Sequence, residues 1–358
     1  MRSSRDRIKV LHFCETAMGG VGTYQKGLAE MDASAFDQVF LMPAKHAAIM
    51  GDESRVITYP LKKRGAMAIF AQIRAFRNLA RTQRPDVAFF HSSFSLPVLL
   101  AMRVLGGLPR TIYCAHGWAA LQYGESFRAR VVRAIEGRLC GLADVVVNVS
   151  IHDLEVATTG NYGGRQILIE NAVPPPAADV RSDLFAGEPD KLHLLFVGRF
   201  DRQKGLDILF AALRKIREKR PDIVLHVIGA AVREADQPEV PDGVDMVGWV
   251  DRRDIDSWYA SADALVVPSR WEGLPLVIPE ALRNGTPVIT SRRCGMEQLF
   301  EEGKSGIAFE ANDEALAKTL MSLNKHSLRE MRANCSALYG ARYSMDRLFR
   351  EVAEVYAE

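Results

Sequence analysis

Long apolar runs, cysteine clusters and net charge are what this sequence has least of. Crossing a bilayer as a helix takes about 20 consecutive apolar residues. The most apolar segment, residues 96–108, is broken by Pro97, Arg103 and the pair Gly106-Gly107, so no spanning helix is expected. Arg2, Arg5, Asp6 and Arg7 precede an apolar run at residues 10–13 that is far too short for a secretory leader. The 5 cysteines, Cys14, Cys114, Cys140, Cys294 and Cys335, form no C-x-x-C pair and no metal-ligand spacing. Such an odd, scattered set speaks against a disulfide frame or a zinc centre and fits reduced thiols in a cytoplasm. A formal net charge of +2 over 358 residues excludes a chain basic enough as a whole to bind nucleic acid.

What is present is the composition of a soluble globular protein, 48% hydrophobic and 25% charged, long enough for two domains of roughly 150 residues. The near-neutral total hides a division. Residues 1–180 hold 21 Lys and Arg against 15 Asp and Glu, a surplus of +6, whereas the remainder holds 25 against 29 and is −4. Two units with different partners are expected from this.

Short apolar runs alternate with helical-period segments, the pattern of a parallel sheet covered on both faces. Strands are expected at residues 8–13, 39–42, 87–91, 111–115, 145–149 and 167–169. A Pro- and Ala-rich stretch at 173–180 then reads as a linker. A second series follows at 192–197, 224–228, 246–247, 264–268, 287–290 and 306–309. Two consecutive Rossmann-like domains account for this order, and their ligands should lie outside the carboxyl ends of the strands.

Chemistry concentrates after strands of the second series. Gly198-Arg199-Phe200-Asp201-Arg202-Gln203-Lys204-Gly205 leads from a strand into a helical stretch. Two cations at the mouth of a helix N-terminus suit a diphosphate, although routine surface cations would give the same pattern. Farther on, Ser269-Arg270-Trp271-Glu272-Gly273-Leu274-Pro275-Leu276 runs to Glu280, and Asn284-Gly285-Thr286-Pro287-Val288 follows. A carboxylate accepts two hydroxyl hydrogens, so Glu272 and Glu280 fit a grip on sugar hydroxyls; acids that merely complement a helix dipole are the plain alternative.

The phosphate loop, the Glu-x7-Glu pair and the closing Asn-Gly-Thr-Pro-Val together closely resemble the retaining GT-B glycosyltransferases of family 4. Gly19-Gly20-Val21-Gly22-Thr23, Pro85-Asp86-Val87 and Glu170-Asn171-Ala172-Val173 extend the resemblance over nearly the whole chain. It implies an α/β fold of GT-B type, two Rossmann-like domains with parallel sheets facing across a cleft. Residues 1–175 would bind acceptor, 176–342 the nucleotide sugar, and 343–358 would form a helix crossing back to the first domain. Arg199 and Lys204 would neutralise the leaving diphosphate, Glu280 would take the ribose hydroxyls, and Glu272 with Gly273, Leu274 and Leu276 would hold the donor hexose. Gly198, Gly229, Trp249 and Val250 would lie around the nucleotide, and His116 would reach the donor sugar from the first domain. Gly19, Gly20 and Gly22 would let backbone approach the donor phosphates and the acceptor, and Asn171 would line the acceptor side; His91 reads either as lining an acceptor pocket or, more plainly, as a core or turn residue. No metal and no cofactor beyond the nucleotide-sugar co-substrate is implied.

The chain departs from the family pattern at Pro275, which lacks an N–H where glycine is common, at Ala172, and in Ser291-Arg292-Arg293-Cys294-Gly295. Competing enzymes fit less well. A dinucleotide-binding G-x-G-x-x-G is not completed after Gly20 and Gly22, and Gln298 stands where the leading glycine of a phosphate loop ending in Gly303-Lys304-Ser305 belongs. A phosphorylase or sugar-nucleotide epimerase of related fold, or a non-catalytic sugar-binding protein, stays open. The expected reaction moves a hexose from a UDP- or GDP-sugar to a hydroxyl of a lipid-linked glycan in cell-surface polysaccharide assembly.

The basic front half carries Lys62-Lys63-Arg64, then an apolar stripe of Ile69, Phe70, Ile73, Phe76 and Leu79 with Arg74, Arg77, Arg81 and Arg84 on another face. Arg128, Arg130, Arg133 and Arg138 form a second set. Both read either as solvated faces or as docking to an anionic membrane, where each basic group contributes about 1 kcal/mol. A cytoplasmic protein, peripheral at the inner face of the plasma membrane, is expected.

Overall fold

Strands that are apolar at every position, such as Ala264–Val267, cannot face water on either side and belong in parallel sheets sandwiched by helices. The computed structural model describes residues 7–17, 19–51, 53–61, 63–124, 126–231, 239–251 and 253–358, and contains two such sheets. Arg2, Arg5, Asp6 and Lys62 lie outside the described residues. The chain divides into two units, Met1–Asn171 with Met345–Glu358, and Ala172–Ser344.

In the first unit the strands are β1 (Ile8–Cys14), β2 (Phe36–Pro43), β3 (Val56–Tyr59), β4 (Val87–His91), β5 (Arg110–Cys114), β6 (Val145–Asn148) and β7 (Arg165–Leu168). They form one parallel sheet in the order β3-β2-β1-β4-β5-β6-β7. The helices are α1 (Gly20–Ala29), α2 (Ala66–Gln83), α3 (Leu96–Leu105), α4 (Phe127–Leu139) and α5 (Ile151–Thr159). The final helix, α11 (Met345–Ala357), also belongs to this unit. It buries Leu348, Val352, Val355 and Tyr356, and Glu358 at its end takes ion pairs from Arg110 and Arg165 at 2.5 and 2.7 Å.

The second unit has β8 (Leu192–Val197), β9 (Ile223–Ile228), β10 (Val244–Gly248), β11 (Ala264–Val267), β12 (Val288–Ser291) and β13 (Gly306–Phe309), all parallel, in the order β10-β9-β8-β11-β12-β13. Its helices are α6 (Leu206–Ile216), α7 (Ile255–Ser261), α8 (Val277–Arg283), α9 (Asp313–Ser322) and α10 (Lys325–Arg342). Helix α6 shows why such a helix forms: Leu206, Leu209, Phe210, Leu213 and Ile216 recur at helical spacing and are buried in the core with Leu194, Phe196 and Leu225. A knot at Asp256 ties α7 to α8. Its carboxylate accepts from Arg283 at 2.6 Å, from Asn284 at 2.8 Å and from the backbone N–H of Ala177 at 3.0 Å.

The two-sheet architecture expected from the sequence holds, with two differences. Strand β3 was not anticipated: it has four residues, lies at the sheet edge and is half-exposed, so it lacks the continuous apolar signal of its neighbours. The apolar stripe of α2 is also displaced, because Phe70 is 63% exposed while Gln72, Phe76 and Leu79 are buried.

Behind β5 lies a buried acidic pair. Asp153, in the first turn of α5, is 1% exposed, and its Oδ1 has no partner among the described residues. Burial, and then the Glu136 carboxylate nearby, push its carboxyl from the ordinary 3.8 up to about 7. The folded chain therefore keeps a proton between pH 4 and 7 that the unfolded chain releases. The resulting stability is complete below about pH 4 and is lost as pH rises through 7. Asp153→Asn should raise the melting temperature at pH 8, by an effect on the order of a few kcal/mol, and change it little at pH 4. Equal shifts at both pH values in thermal melts would contradict this assignment.

Candidate functional site

In an open parallel sheet, a crevice forms where neighbouring strands send their connections in opposite directions. The strand orders place this point between β8 and β11 in the second unit and between β1 and β4 in the first. Gly19, Gly20 and Gly22 follow β1, Gly198, Arg199 and Lys204 follow β8, and Glu272 follows β11, whereas His116, Asn171, Gly229 and Trp249 follow β5, β7, β9 and β10.

The loop after β8 and the loop after β11 are joined side chain to side chain. Lys204 Nζ pairs with Glu272 Oε1 at 2.6 Å, with the two side chains only 18% and 9% exposed. Gln203 donates from Nε2 to Glu272 Oε2 at 3.2 Å and to the Trp271 carbonyl at 3.0 Å, while its Oε1 accepts from Arg199 at 3.3 Å. The Arg270 N–H donates back to the Gln203 carbonyl at 2.8 Å. Arg199 is the more open cation, 55% exposed at the side chain, and pairs with Asp201 at 3.0 Å. Gly198 continues β8 by donating to the Ile228 carbonyl at 3.0 Å.

The helix N-terminus behind this loop is less available to an anion than its sequence implied. Asp207, in the first turn of α6, takes Arg270 on both oxygens at 2.8 and 2.6 Å. Those bonds, the nearby guanidinium charge and the N–H groups of Asp207 and Ile208 hold its carboxyl below the usual range. Part of the helix dipole is thereby already met from within the chain.

Glu280 enters the site from the first turn of α8, where the Tyr259 hydroxyl donates to its Oε2 at 3.0 Å. Leu276 is the residue before α8, Leu274 is buried, and Gly273 follows Glu272 directly. Pro275 accepts from the Ile278 N–H at 3.0 Å, so it serves as the turn into the helix. Gly229 ends β9 with φ +138°, and a Cβ there would sit 1.9 Å from the Gly198 carbonyl oxygen. Trp249 is 79% exposed, so it is not a packing aromatic of this unit, and Val250 beside it is half-buried.

In the first unit Gly19 precedes α1 with φ 63°, and Gly20 opens the helix. Gly22 has a packing reason of its own, since a Cβ would meet the Ala17 carbonyl oxygen at 2.2 Å. His116 follows β5 with φ 58°, an uncommon conformation for a residue with a side chain. Its Nε2 lies 3.0 Å from His91 Nδ1, and Tyr24 meets its ring edge-on at 4.9 Å. Of the two readings of His91, the core one matches its place: it is fully buried inside the sheet and lies behind His116. Asn171 is 4% exposed, and its Oδ1 has no partner among the described residues. Among the described residues no group of three His, Cys, Asp or Glu is arranged to hold a metal ion, and no helix is long and apolar enough to cross a membrane.

Two family models match this chain, the glycosyl transferase 4-like domain over residues 19–152 and the glycosyl transferases group 1 domain over 184–337. The chain is a group 1 glycosyltransferase. It is 22% identical to an uncharacterized 41.2 kDa protein in the cps region of Klebsiella pneumoniae, over 98% of this chain and 99% of that one. To the D-inositol 3-phosphate glycosyltransferase of Arthrobacter sp. it is 31% identical, over 69% of this chain and 64% of the relative. The fold is shared with sucrose-phosphate synthase of Thermosynechococcus elongatus, with a TM-score of 0.81, 21% identity and 98% of each chain covered. It is shared equally with Anabaena HepE, solved in complex with UDP and glucose, with a TM-score of 0.81 at 17% identity over 98% of this chain and 100% of that one.

Three residues of this glycosyltransferase escaped the sequence reading. Gln203 bridges Arg199 and Glu272, yet a glutamine in a loop carries no pattern of its own. Tyr259 orients Glu280 from a different helix. His12 stands in an apolar strand, where a polar residue at 0% exposure is itself a signal that a partner must lie beside it.

The close approach at Gly229 gives a direct test of how tightly these strand ends are built. Gly229→Ala should lower the melting temperature strongly, since neither backbone atom can yield cheaply, whereas Gly187→Ala, with open space around it, should be nearly neutral. Similar melting temperatures for the two variants would show that the β8 and β9 ends adapt.

Proposed function

We propose that this glycosyltransferase moves a hexose from a UDP- or GDP-sugar to a hydroxyl of a lipid-linked glycan, with retention of configuration and without a metal, in cell-surface polysaccharide assembly. The observation that carries this reading is the joined pair of loops at the β8/β11 crevice, where Lys204 pairs with Glu272, Arg199 pairs with Asp201 and Gln203 links the two. Arg199 and Lys204 supply positive charge for a diphosphate. Glu280 and Glu272 supply acceptors for ribose and hexose hydroxyls. The UDP and glucose bound in the HepE structure and the cps-region origin of the Klebsiella relative support the donor class and the setting.

Glu272 holds Lys204 in place before any diphosphate arrives, so little of the ammonium's freedom has to be lost on binding. The donor C1–O bond ionises as its electron pair passes to the diphosphate, and Arg199 and Lys204 stabilise the growing charge. The acceptor hydroxyl then attacks C1 from the face the diphosphate leaves, and a diphosphate oxygen takes its proton. His116 serves the donor sugar. Because Asp207 already meets part of the α6 dipole, the side-chain cations carry most of this stabilisation.

Nucleoside diphosphate should be released only when donor and acceptor are both supplied, which separates a transferase from a phosphorylase, an epimerase or a sugar-binding protein. Arg199→Ala and Lys204→Ala should each lower kcat on the order of 100-fold, and excess EDTA should leave the rate unchanged. Complete loss of activity in EDTA, or an inverted anomer in the product, would reject the scheme.

The acceptor's lipid also gives a role to the first unit's surface. Helix α3 packs against both α2 and α4, and the three helices expose Met67, Phe70, Val104, Phe127 and Ile135 as well as Arg74, Arg81, Arg84, Arg128 and Arg130. Arg77 is half-buried and contributes less. Exposed apolar and basic groups on neighbouring helices suit peripheral docking to anionic lipid at the inner face of the plasma membrane. Charge reversal at Arg74, Arg77 and Arg81 should abolish sedimentation with vesicles containing anionic phospholipid. Unchanged sedimentation would remove this part of the reading.

A further inference from the structure

Three histidines and a glutamine form one hydrogen-bonded file across four strands of the first unit. Gln38 Oε1 lies 3.0 Å from His12 Nε2, His12 Nδ1 lies 3.0 Å from His91 Nε2, and His91 Nδ1 lies 3.0 Å from His116 Nε2. Strand register explains the path. Gln38 pairs with Val10, His12 with Phe89, and His91 with Cys114, so each link moves one strand across and two residues toward the strand ends. Two residues is the repeat of a strand, which keeps Gln38, His12 and His91 on one face, and His116, just past the end of β5, joins them through its contact with His91. The rings are held flat by their neighbours, Phe40 stacking on His12 at 4.3 Å and Phe89 on His91 at 4.2 Å.

The file has a direction because one end can only accept. The Leu28 carbonyl takes a hydrogen bond from Gln38 Nε2 at 2.6 Å, which turns Gln38 Oε1 toward His12. An amide oxygen accepts, so His12 carries its hydrogen on Nε2. Burial pushes His12 and His116 down to about 3 and His91 well below the ordinary imidazole value, so each ring holds a single proton at neutral pH. His12 Nδ1 must then accept from His91 Nε2–H, and His91 Nδ1 from His116 Nε2–H. One ring nitrogen is left over: His116 Nδ1 is buried, bears a bare lone pair and has no partner among the described residues.

We propose that Gln38, His12 and His91 are positioning residues that fix His116 as its Nε2–H tautomer and hold its ring in one orientation for the role it takes at the donor sugar. The second half of this statement rests on the reading that His116 serves the donor sugar; the first half does not. Replacing the glutamine or breaking the file would let His116 sample the other tautomer, in which Nδ1 carries the proton.

The test is long-range 1H–15N correlation spectroscopy on the full chain labelled at histidine, with His116 assigned through His116→Gln. The expected result is a protonated Nε2 and an unprotonated Nδ1 for His116 in the unaltered protein, and a measurable Nδ1–H population in both Gln38→Leu and His91→Phe. A protonated Nδ1 in the unaltered protein overturns the proposal, as does an unchanged tautomer in whichever of the two variants folds. With the donor identified by nucleotide-sugar turnover, His116→Gln should lower kcat/KM about tenfold, the scale of one hydrogen bond. An unchanged kcat/KM with the expected tautomer overturns the donor-sugar reading and leaves the file's direction standing.

Discussion

A parallel sheet covered on both faces denies water to every residue inside it, and that exclusion governs where this glycosyltransferase can place polar chemistry. Side chains that must meet a charged, hydroxyl-rich substrate are confined to the loops beyond the strand ends. Polar side chains that remain within the sheet must satisfy one another. Both outcomes are visible here. Arg199, Lys204, Glu272 and Glu280 sit beyond strands or in the helix turn that follows, whereas Gln38, His12 and His91 lie inside and are consumed by their mutual hydrogen bonds.

The two units use this constraint in different electrical settings. The second half of the chain is acidic, with 25 basic against 29 acidic residues after position 180, yet its crevice gathers Arg199 and Lys204 on one loop. Their charge is not left free. Lys204 is tied to Glu272, and Arg199 to Asp201, while Gln203 links the two sets. The result is a preorganised network of donors and acceptors with little net local charge, able to meet phosphates and hydroxyls together. In the first unit, burial drives charge out of the site altogether. Three imidazoles stay neutral, and orientation alone distinguishes a donor nitrogen from an acceptor.

Much of the architecture was legible as pattern. Apolar runs marked twelve of the strands to within a few residues, and most clearly the central ones, because burial on both faces writes itself into nearly every position. Strand β3 escaped because an edge strand of four half-exposed residues has neither the length nor the continuity of the others. The helical stripe of α2 was legible only in part: its period was clear, but its boundary was not, and Phe70 proved to lie outside the core. Glycines and carboxylates at fixed spacing pointed to the crevice of the second unit. Gln203 did not, since its importance comes from three partners brought near it by two different loops.

The sequence by itself determined the two α/β units, the family and the loops on which the cations and carboxylates stand, because local patterns of apolarity and spacing encode strands, helices and the turns between them. Only the tertiary structure decided which of those groups touch, that Asp207 already meets the α6 N-terminus, and that His91 is buried behind His116 instead of lining an opening. It also decided the register by which Gln38, His12, His91 and His116, spread between positions 12 and 116 of the chain, become one file. Contacts between strands distant in sequence depend on strand order and register, which no local pattern specifies.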